Sequence, residues 1–509
     1  MKKTLGLLGV TMNAMALIAP GAFLWITYQV QTAQTDPSGA FTAPDIWFGL
    51  LVALALAFLT AGSYAMLTRR YPDAGCGSSY DFADKALRDK GSSNRIIRFT
   101  KFAVGWLSHL YYWVYPGVMV AFMAVLITFI LQSFGLGVSP LAQIGIAVAF
   151  AAVVGYIAYR GINGSTKTNI ILNVVQLVML VGVTGMALVY RFLNPEHVTF
   201  LLPTLGDIVL PHDASHVLFQ ATIAILLLVG FESATALMAE AKKPKDVSKA
   251  VILSLIIQGG FAYMFEYFGA QAWINSNYTV TTSGQTYTGF SAAAQSSAPI
   301  GDMVRNLGNA LLGGNGFVLM LVVAAAVAAA ILGTTLACLN TGVRVTYAIS
   351  SDKEMPLPLG KLHKKYATPY IGVIVLTAVS AVIGAFGVLS IENLSAVALL
   401  SNIGTFLLYG ATNLIAFVAL AKEHGSVLLR RIVPILGAGA NVVMLLAVVW
   451  LGILGGGVTQ AAAFIAITAT AVWAVIGAAY FVANSRTAST KLLPFAGKGL
   501  QPLKTEQNQ

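Results

Sequence analysis

Residues 16–25 read ALIAPGAFLW, and they interrupt a segment that is otherwise apolar from residue 5 to residue 31. Pro20 lacks the N–H that a helix requires, and Gly21 is a poor helix former. In hydrocarbon, each backbone group freed by such a break costs several kcal/mol unless protein, water or a ligand satisfies it. The stretch therefore predicts a membrane-spanning helix that is broken near its middle.

The composition of the whole chain agrees with a membrane location. Of its 509 residues, 57% are hydrophobic and 10% are charged, whereas soluble domains usually carry about 25% charged residues. A helix needs about 20 apolar residues to cross a bilayer, and twelve segments meet that length. We number these segments spans 1 to 12, and they are 5–31, 45–68, 98–132, 140–158, 168–190, 215–240, 250–274, 315–349, 370–390, 394–421, 431–455 and 459–483.

The positive charge of the chain, +11, is distributed unevenly between its loops. If the N-terminus is placed in the cytoplasm, all of the 30 Lys and Arg residues except Arg191 and Arg305 fall on the cytoplasmic side. This asymmetry follows the positive-inside rule. We therefore expect a multi-pass protein of the cell membrane with both termini in the cytoplasm. The basic residues are explained by topology and by contact with anionic membrane lipid, not by nucleic-acid binding.

The connections between spans suggest an internal repeat. Long connections follow span 2 (69–97) and span 7 (275–314), on opposite faces of the membrane, and an overlong span comes after each. A repeat of five spans must begin its second copy from the other face. Chance similarity among twelve helices is the alternative. The predicted units are two inverted repeats (5–190 and 215–421), spans 11 and 12 (431–483) and a cytoplasmic tail (484–509).

The repeat predicts a second broken helix in span 6. Residues 225–240 read ILLLVGFESATALMAE, with Gly230 and Glu232 near the middle of the span. Paired interruptions in corresponding segments are the best sequence indication of a transporter's binding site at the membrane midplane. We therefore expect spans 1 and 6 to be discontinuous, so that their freed backbone groups hold a small ligand.

Three further stretches carry a family resemblance. They are GFESATALMAEAKKPKDVSKA (230–250), YPDAGCGSSYDFADKAL (71–87) and NTGVRVTYAISSDKEMPLPLGKLHKKYATPY (340–370). With the twelve spans, they make the sequence similar to the amino acid–polyamine–organocation superfamily, nearest to its bacterial permeases and exchangers. The resemblance implies an all-α membrane fold with a 5+5 inverted repeat, discontinuous spans 1 and 6, and two added C-terminal helices.

The sequence also departs from the pattern of that superfamily. Its span 1 motif, commonly Gly-x-Gly, is replaced by Ala-Pro-Gly-Ala at 19–22. The span 5 lysine of many proton-coupled members is replaced by Gln176, which argues against lysine-based coupling. Thr334 and Thr335 lie near positions where sodium-dependent relatives use hydroxyl ligands, so they form a candidate cation site. The alternative is that these hydroxyls bond their own helix backbone.

Few ionisable groups fall inside the predicted spans. Apart from Asp45 and Glu240, which are terminal residues of spans 2 and 6, only Glu232 and Glu266 of the 19 acidic residues do so, and such charges cost at least about 2.5–3.5 kcal/mol in a membrane. Burial of Glu232 at the break would disfavour its charged form and make it a proton carrier, while pairing with a cationic substrate and helix capping are alternatives. We interpret Glu266 as an interfacial carboxylate that reaches water. His109 is either a hydrogen-bonded neutral histidine or a proton relay.

Substrate recognition is predicted from the two breaks. Amides freed in span 1 would bind a carboxylate, as helix N-termini do, and carbonyls freed in span 6 would bind an ammonium group. A zwitterionic amino acid satisfies both, whereas a polyamine would rely on carbonyls, aromatic faces and a carboxylate. The resemblance adds Tyr112 and Pro116 of span 3, which would face the cavity, and Phe231 of span 6, a bulky residue that would act as a gate over the substrate. The predicted substrate-binding residues are Ala19, Pro20, Gly21, Ala22, Tyr112, Pro116, Leu228, Gly230, Phe231, Glu232 and Ser233.

The sequence therefore predicts a secondary active transporter that moves an amino acid or related amine by alternating access. We expect coupling to protons through Glu232 and His109, with sodium as the other candidate ion. Polyamine import and antiport between a precursor and its product are the alternatives. The chain shows no metal, phosphate-binding or catalytic motif, and neither the repeated pore loop nor the charged ring of a channel. We expect no cofactor and no enzymatic activity.

Overall fold

The computed structural model describes residues 4–161, 166–194, 210–271, 273, 278–282, 284–421, 423 and 426–488. Within these residues, twelve helices are long and apolar enough to cross a membrane. The predicted twelve-span all-α fold is thereby confirmed. The predicted C-terminal tail from residue 489 onward lies outside the described residues. The pseudo-symmetry of the two repeats and the cytoplasmic position of the termini stay predictions.

The helices follow the predicted spans closely. Span 1 comprises α1 and α2, span 3 comprises α5 and α6, and α4, α11 and α12 lie between spans. The α-helices are α1 (Leu7–Ile18), α2 (Pro20–Thr32), α3 (Ile46–Arg70), α4 (Ser79–Asp89), α5 (Asn94–Tyr112), α6 (Tyr115–Ser133), α7 (Pro140–Tyr159), α8 (Thr166–Leu193), α9 (Ala214–Ala224), α10 (Pro244–Met264), α11 (Gly289–Gln295), α12 (Pro299–Leu311), α13 (Gly316–Ser351), α14 (Tyr370–Gly387), α15 (Ile391–Leu420), α16 (Val433–Leu454) and α17 (Gly457–Ala488).

Shorter elements complete spans 6, 7 and 11. Span 6 continues from α9 through two 3₁₀ turns, Ile225–Leu227 and Phe231–Leu237, and span 7 ends in a π-helical turn, Phe265–Gln271. A second π turn, Leu428–Ile432, precedes α16, and 3₁₀ turns lie at Ala43–Asp45 and Leu357–Gly360. Regular helical hydrogen bonding is therefore interrupted inside span 6 and changed at the end of span 7.

Several helix starts are explained by local chemistry. Proline occupies the first helical position of α2, α7, α10 and α12, where its missing N–H has no intrahelical partner to lose. Ser139 and Asp213 cap α7 and α9, because their side-chain oxygens accept the amides of Ala142 and Ser215 at 3.2 and 2.7 Å. Such caps satisfy amides that would otherwise lack partners.

Span 3 differs from the single long helix that the sequence predicts. It bends at Trp113 and Val114, between α5 and α6. Pro116 has no N–H to donate to the carbonyl of Tyr112 four residues earlier, and this loss explains the bend. Gly342 of span 8 lies against that carbonyl, since a Cβ there would come within 2.8 Å of the oxygen. Span 8 itself is one continuous helix of 36 residues.

The predicted long connection between spans 7 and 8 contains secondary structure of its own. Strands β1 (Thr279–Thr282) and β2 (Gln285–Thr288) form an antiparallel hairpin in which Thr279 faces Thr288. The helices α11 and α12 follow. Asp302 of α12 accepts hydrogen bonds from the Tyr278 hydroxyl at 2.7 Å and from the Ser296 hydroxyl at 2.6 Å. The Tyr278 bond joins the start of the hairpin to α12, and the Ser296 bond joins the end of α11 to it.

The spans pack into one bundle in which span 10 contacts spans 2, 3, 11 and 12. Span 7 packs on α1 and span 2, and span 9 packs on span 4 and α6. Trp106 of span 3 and Trp473 of span 12 stack with ring centroids 4.5 Å apart, and each indole N–H donates to the other residue's backbone carbonyl. We call the membrane face at which α1 begins the N-terminal face.

Candidate functional site

The break in span 1 lies at Ala19, one residue before the proline that causes it. Ala19 has the left-handed conformation φ 31°, ψ 65°, and it separates α1 from α2. Because Pro20 has no N–H, the Ala16 carbonyl loses its helical donor. The hydroxyl of Thr334 in span 8 takes that place and donates to the Ala16 oxygen at 3.0 Å. The predicted discontinuity of span 1 is confirmed.

Other side chains bind the carbonyls at the end of α1 in the same way. Asn173 of span 5 donates to the Met12 oxygen at 2.9 Å, and Gln258 of span 7 donates to the Met15 oxygen at 3.2 Å. Asn173 in turn accepts from Gln176 at 2.8 Å. Neutral amide donors from spans 5 and 7 therefore add hydrogen bonds to carbonyls of α1, and the Met15 carbonyl also accepts the Ala19 amide at 3.0 Å.

The break in span 6 is centred on Gly230. This residue has φ +122° and ψ −18°, a backbone conformation that residues other than glycine rarely adopt. The carbonyl oxygens of Leu228 and Val229 accept no hydrogen bond within the part of the chain that the structure describes. The Gly230 carbonyl is engaged, because it accepts from the amide and the hydroxyl of Ser233 at 3.0 and 2.6 Å. The predicted discontinuity of span 6 is confirmed.

The two breaks touch each other. A Cβ on Gly230 would come within 2.5 Å of the Leu17 side chain and within 2.9 Å of the Ile18 backbone nitrogen. The hydroxyl of Tyr115 in α6 lies 3.5 Å from the Leu17 carbonyl on the other side. Glycine is required at residue 230 because the backbones of spans 1 and 6 approach too closely for any side chain.

Glu232 follows the span 6 break and is fully buried. Its Oε2 accepts hydrogen bonds from the Tyr409 hydroxyl at 2.7 Å and from the Gly230 amide at 3.0 Å. Its Oε1 has no hydrogen-bond partner among the described residues. The Tyr111 phenol faces the same carboxyl, and its hydroxyl is also without a partner in the described chain. Two donors therefore hold Oε2, whereas Oε1 lies buried without a hydrogen bond among the described residues.

A group of hydroxyls connects this region with the connection after span 2. Ser79 bonds the hydroxyls of Tyr64 and Thr412, each at 2.7 Å. Ser78 bonds Thr235 at 2.7 Å, and Thr235 donates to the backbone carbonyl of Glu232 at 2.6 Å. The segment 71–87 thus reaches the site through two adjacent serines.

A carboxyl in that segment fixes its turn. Asp81 of α4 accepts the Gly77 amide at 2.7 Å, and side chains on Gly75 or Gly77 would come within 2.9 Å of it. Burial raises the pKa of Asp81, while the hydrogen bond from Gly77 and the charge of Lys101 oppose that shift. Side chains at residues 75 and 77 would therefore displace the Asp81 carboxyl from the position in which it accepts the Gly77 amide.

A cavity of about 260 Å³ adjoins the breaks, between α1 and spans 4, 5, 6 and 8. Ten of its seventeen lining residues are apolar or glycine, Leu17, Leu172 and Leu332 among them. Arg344 is the charged residue among those that line it, and it pairs with Glu240 at 3.0 Å. The polar lining residues are Asn13, Thr168, Asn169, Ser233, Asn340, Thr341 and Arg344.

The predicted substrate residues do not all fall around one space. Ser233 lines the cavity, and Gly230 lies against Leu17, which also lines it, whereas Leu228 is not among the lining residues. Phe231, the predicted gate, packs instead against the rings of Tyr409 and Tyr64 at 5.3 and 6.2 Å.

The remaining predicted residues of spans 1 and 3 pack around the breaks. Pro20 begins α2, Gly21 lies against Gln176, and the Ala22 amide donates to the Ala19 carbonyl at 2.9 Å. The Ala22 amide is therefore not free for a ligand, since the turn at Ala19 consumes it. In span 3, both Tyr112 and Pro116 are buried at the bend.

The predicted ion-coupling residues have separate surroundings. His109 is buried, with Nδ1 2.5 Å from the Gly105 carbonyl and Nε2 3.1 Å from the Thr346 hydroxyl, so both ring nitrogens are engaged. Thr335 donates to its own helix at Ile331, whereas Thr334 binds span 1. The two threonines thus point to different partners.

The interpretation of Glu266 as an interfacial carboxylate is wrong. Its side chain is 0% exposed, and spans 2 and 5 pack on the π turn that carries it. Sequence reasoning also missed Tyr409, Tyr111 and the serines of segment 71–87. Nothing in the local sequence of span 10 marks Tyr409, since its role depends on a contact 177 residues away.

Comparison with known proteins agrees with this geometry. The sequence profile described as amino acid permease matches residues 4–483. A low-affinity putrescine importer of Escherichia coli K12 is 26% identical over 270 residues, which is 52% of this chain and 53% of that protein. A branched-chain amino acid permease of Bacillus subtilis is 24% identical over 452 residues, or 83% and 82% of the two chains. An uncharacterised transporter of Mycobacterium tuberculosis H37Rv is 24% identical over 446 residues, or 87% and 86%.

Proposed function

Because the chain belongs to the amino acid permease family and is a transporter rather than an enzyme, we propose that it carries a neutral amino acid in exchange for, or together with, a proton. The observation that carries this proposal is the contact between two broken spans, Gly230 against Leu17 and Ile18. Broken spans that meet inside the membrane are typical of the binding sites of secondary transporters.

The polarity of the two breaks suits a zwitterion. The N-terminus of α2 presents the positive end of a helix dipole, which favours the substrate carboxylate. The carbonyls of Leu228 and Val229, without donors in the described residues, are available to the substrate ammonium group. A single α-amino acid would satisfy both ends, and its side chain would project toward the cavity.

The lining of the cavity supports a neutral amino acid over a polyamine. Its walls are largely apolar, its charged lining residue is the cation Arg344, and the described lining includes no acid. Arg344 is already paired with Glu240 at 3.0 Å, and the described lining offers no carboxylate of its own to the ammonium groups of a diamine. The relatives' names include both putrescine and branched-chain amino acids, and the cavity chemistry favours the second class.

Coupling to protons is assigned to Glu232. A buried carboxyl with one oxygen engaged by Tyr409 and Gly230 and the other without a partner in the described chain can exist with or without a proton. His109 is a weaker candidate, because both of its ring nitrogens already have partners. A sodium role for Thr334 is disfavoured, since its hydroxyl donates to the Ala16 carbonyl.

The arrangement also suggests which step of alternating access this conformation represents. The cavity lies on the N-terminal side of the breaks, between Asn13 of α1 and Arg344 of span 8. On the opposite side, Phe23 packs on Tyr115 at 5.5 Å and Trp25 packs on Phe129 at 6.1 Å. The cavity therefore lies on the N-terminal side of the breaks, and aromatic packing fills the opposite side. We infer that spans 1 and 6 move against spans 3, 4, 8 and 9 so that the cavity and the packed side change places.

Uptake into proteoliposomes tests the proposal. Purified protein is assayed with labelled leucine and labelled putrescine, with and without a pH gradient. We expect leucine uptake that a gradient accelerates, and Glu232→Gln should retain leucine binding but lose the acceleration. Glu392→Gln, the same change at an exposed site, is the matched control. Acceleration that persists in Glu232→Gln would remove this residue from coupling.

Polyamine transport is the second candidate, because the partner-free Oε1 of Glu232 is also an acceptor for an ammonium group. Competition between putrescine and labelled leucine distinguishes polyamine transport from amino acid transport. Excess putrescine should leave leucine uptake unchanged if the amino acid assignment is right. Putrescine uptake without leucine uptake would reverse the assignment, and stimulation of uptake by the other solute preloaded inside would indicate antiport.

A further inference from the structure

A histidine lies between two aspartates on the membrane face opposite the N-terminal face, where the connection between spans 1 and 2 meets the start of span 6. Asp36 belongs to that connection, Asp45 immediately precedes α3 of span 2, and His216 lies in the first turn of α9. Asp36 Oδ2 is 3.3 Å from His216 Nε2, and Asp45 Oδ2 is 3.6 Å from His216 Nδ1. The two ring nitrogens therefore face carboxylates from two different elements.

This arrangement suits only one protonation state of the imidazole. The Asp45 side chain is 0% exposed, those of His216 and Asp36 are 16% and 18% exposed, and Nδ1 of His216 has no hydrogen-bond partner in the described residues. A neutral imidazole has one N–H, so its other nitrogen would present a lone pair to a carboxylate. A protonated imidazole presents an N–H on both sides, and its charge opposes both carboxylates.

Asp36 keeps its negative charge over the range in which a histidine titrates. Its Oδ1 accepts hydrogen bonds from the amide and hydroxyl of Ser38 at 2.8 and 2.6 Å and from the Ala40 amide at 2.9 Å. Hydrogen bonds, first that of the Ser38 hydroxyl, lower the pKa of Asp36 to about 2 against the opposing effect of burial. A change of charge in this contact above about pH 5 therefore comes from the imidazole.

The other titratable groups at this point precede α9. Asp45 Oδ1 accepts the His212 amide at 2.7 Å and lies 3.0 Å from the ring Nδ1 of that histidine, and Asp45 Oδ2 accepts the Asp213 amide at 3.2 Å. The Asp213 carboxylate caps α9 through the Ser215 amide. Within the described part of the chain, the cluster thus brings three carboxylates together with two imidazoles. Protons on the imidazoles offset the negative charge of the carboxylates.

The turn between spans 11 and 12 fixes the connection that carries Asp36. The Thr35 amide donates to the Thr459 hydroxyl at 2.9 Å, and the Thr35 hydroxyl donates to the Gly456 carbonyl at 3.1 Å. These bonds involve uncharged groups, so they do not depend on pH. Asp36 is therefore held in place from another direction, and a change at His216 acts on the position of α9.

We propose that His216, between Asp36 and Asp45, is a proton-binding site that fastens the start of span 6 to the connection after span 1. The protonated imidazole attracts both carboxylates and holds α9 in place. Loss of the proton leaves one N–H and turns a lone pair toward the other carboxylate, which weakens the contact. The consequence for transport rests on the proposed function, because spans 1 and 6 carry the two breaks, whereas the proton site does not.

Thermal unfolding of the purified full-length protein at about pH 5.5 and about pH 8 tests the site. Wild type is compared with His216→Gln, whose amide forms hydrogen bonds but takes up no proton in this range. Stability that comes from a proton bound in the folded state is lost as the pH rises. Wild type should therefore melt several degrees above His216→Gln at the lower pH and by a smaller margin at the higher pH. Equal margins would overturn the proposal.

His363→Gln is the matched control, because it makes the same change at a histidine with different partners. Nδ1 of His363 accepts the amides of Lys365 and Tyr366 at 3.1 and 3.2 Å, so a proton on that nitrogen would break these bonds. The margin between wild type and His363→Gln should not increase as the pH falls. An increase as large as that for His216→Gln would show that the effect is not specific to the cluster, and would contradict the proposal.

Asp36→Asn provides the test if His216→Gln does not fold. Asparagine keeps an oxygen that can accept from Ser38 and Ala40, but it removes the charge that faces His216. The loss in melting temperature relative to wild type should again be larger at the lower pH, where the imidazole is protonated. Equal losses at the two pH values would contradict the pairing.

Uptake measurements separate this proposal from the proposed function. Absence of leucine uptake would contradict the proposed function, and the melting comparison would still decide whether His216 binds the proton. If uptake occurs, it is measured with equal pH on both sides of the membrane. His216→Gln should then exceed the wild-type rate by a larger factor at the lower pH, because α9 is no longer held. Equal factors would show that the site does not restrain span 6.

Discussion

Substitution of Gly230 by alanine tests the contact on which the proposed site depends. The residue has φ +122°, and a side chain in such a region costs about 1–3 kcal/mol. The new Cβ would lie 2.5 Å from Leu17 Cδ2 and 2.9 Å from the Ile18 nitrogen. The leucine tip can rotate, but the backbone nitrogen moves only if α1 shifts.

The expected magnitude follows from these two terms. Overpacking of a tight contact costs about 1–3 kcal/mol, so Gly230→Ala should destabilise the protein by about 2–6 kcal/mol in total. Whole proteins are stable by only about 5–15 kcal/mol. We therefore expect a clear fall in melting temperature, together with weaker stabilisation by substrate, because spans 1 and 6 separate at the site.

The assay compares this variant with a matched glycine. Gly260 lies in span 7 with open space around its Cβ position, and alanine there should stabilise the helix by up to about 1 kcal/mol. Thermal unfolding in detergent is measured for both variants, with and without leucine. If Gly230→Ala melts as high as Gly260→Ala and transports leucine normally, the two spans do not meet as described.

Three further predictions concern coupling, assembly and ion dependence. Tyr409→Phe removes one hydrogen-bond donor to Glu232, a bond worth about 1.5–3 kcal/mol when the acceptor is charged. The pH profile of leucine uptake should therefore shift while leucine still binds. An unchanged pH profile would show that Tyr409 has no role in proton coupling. Trp473→Ala removes the ring stacked 4.5 Å from Trp106 and one indole hydrogen bond, and should lower the stability by about 3–5 kcal/mol. The affinity for leucine, measured by the shift in melting temperature that leucine causes, should not change. Uptake should be equal in sodium and choline buffers, because Thr334 donates to a backbone carbonyl; a sodium requirement abolished by Thr334→Val would contradict this.

The sequence determined the membrane class and the places where helices fail. Twelve apolar segments predict twelve spans, because the thickness of the hydrocarbon layer fixes the length that a helix needs. The breaks in spans 1 and 6 were also predictable, since Pro20 removes a donor and Gly230 permits a conformation that other residues avoid. These are local properties of the backbone, and they act wherever the segment is placed.

The partners of the freed groups were not predictable from the sequence. Tyr409 binds Glu232 from 177 residues away, and Thr334 binds Ala16 from 318 residues away. The bend at Trp113 and Val114 was missed although Pro116 was visible, because many prolines in membrane helices are accommodated without a separate break. Whether a freed carbonyl binds a substrate or a side chain depends on which span packs beside it.

Glu266 shows most clearly the difference between what the sequence predicts and what the tertiary structure decides. Its position near the end of an apolar span favoured contact with water, and its neighbours in sequence are tyrosines that commonly lie at interfaces. The fold instead packs spans 2 and 5 on the π turn that carries it and buries its side chain fully. Hydropathy measures the apolar character of each segment but does not show which face of its helix other spans cover. The burial of a charged side chain depends on which face is covered.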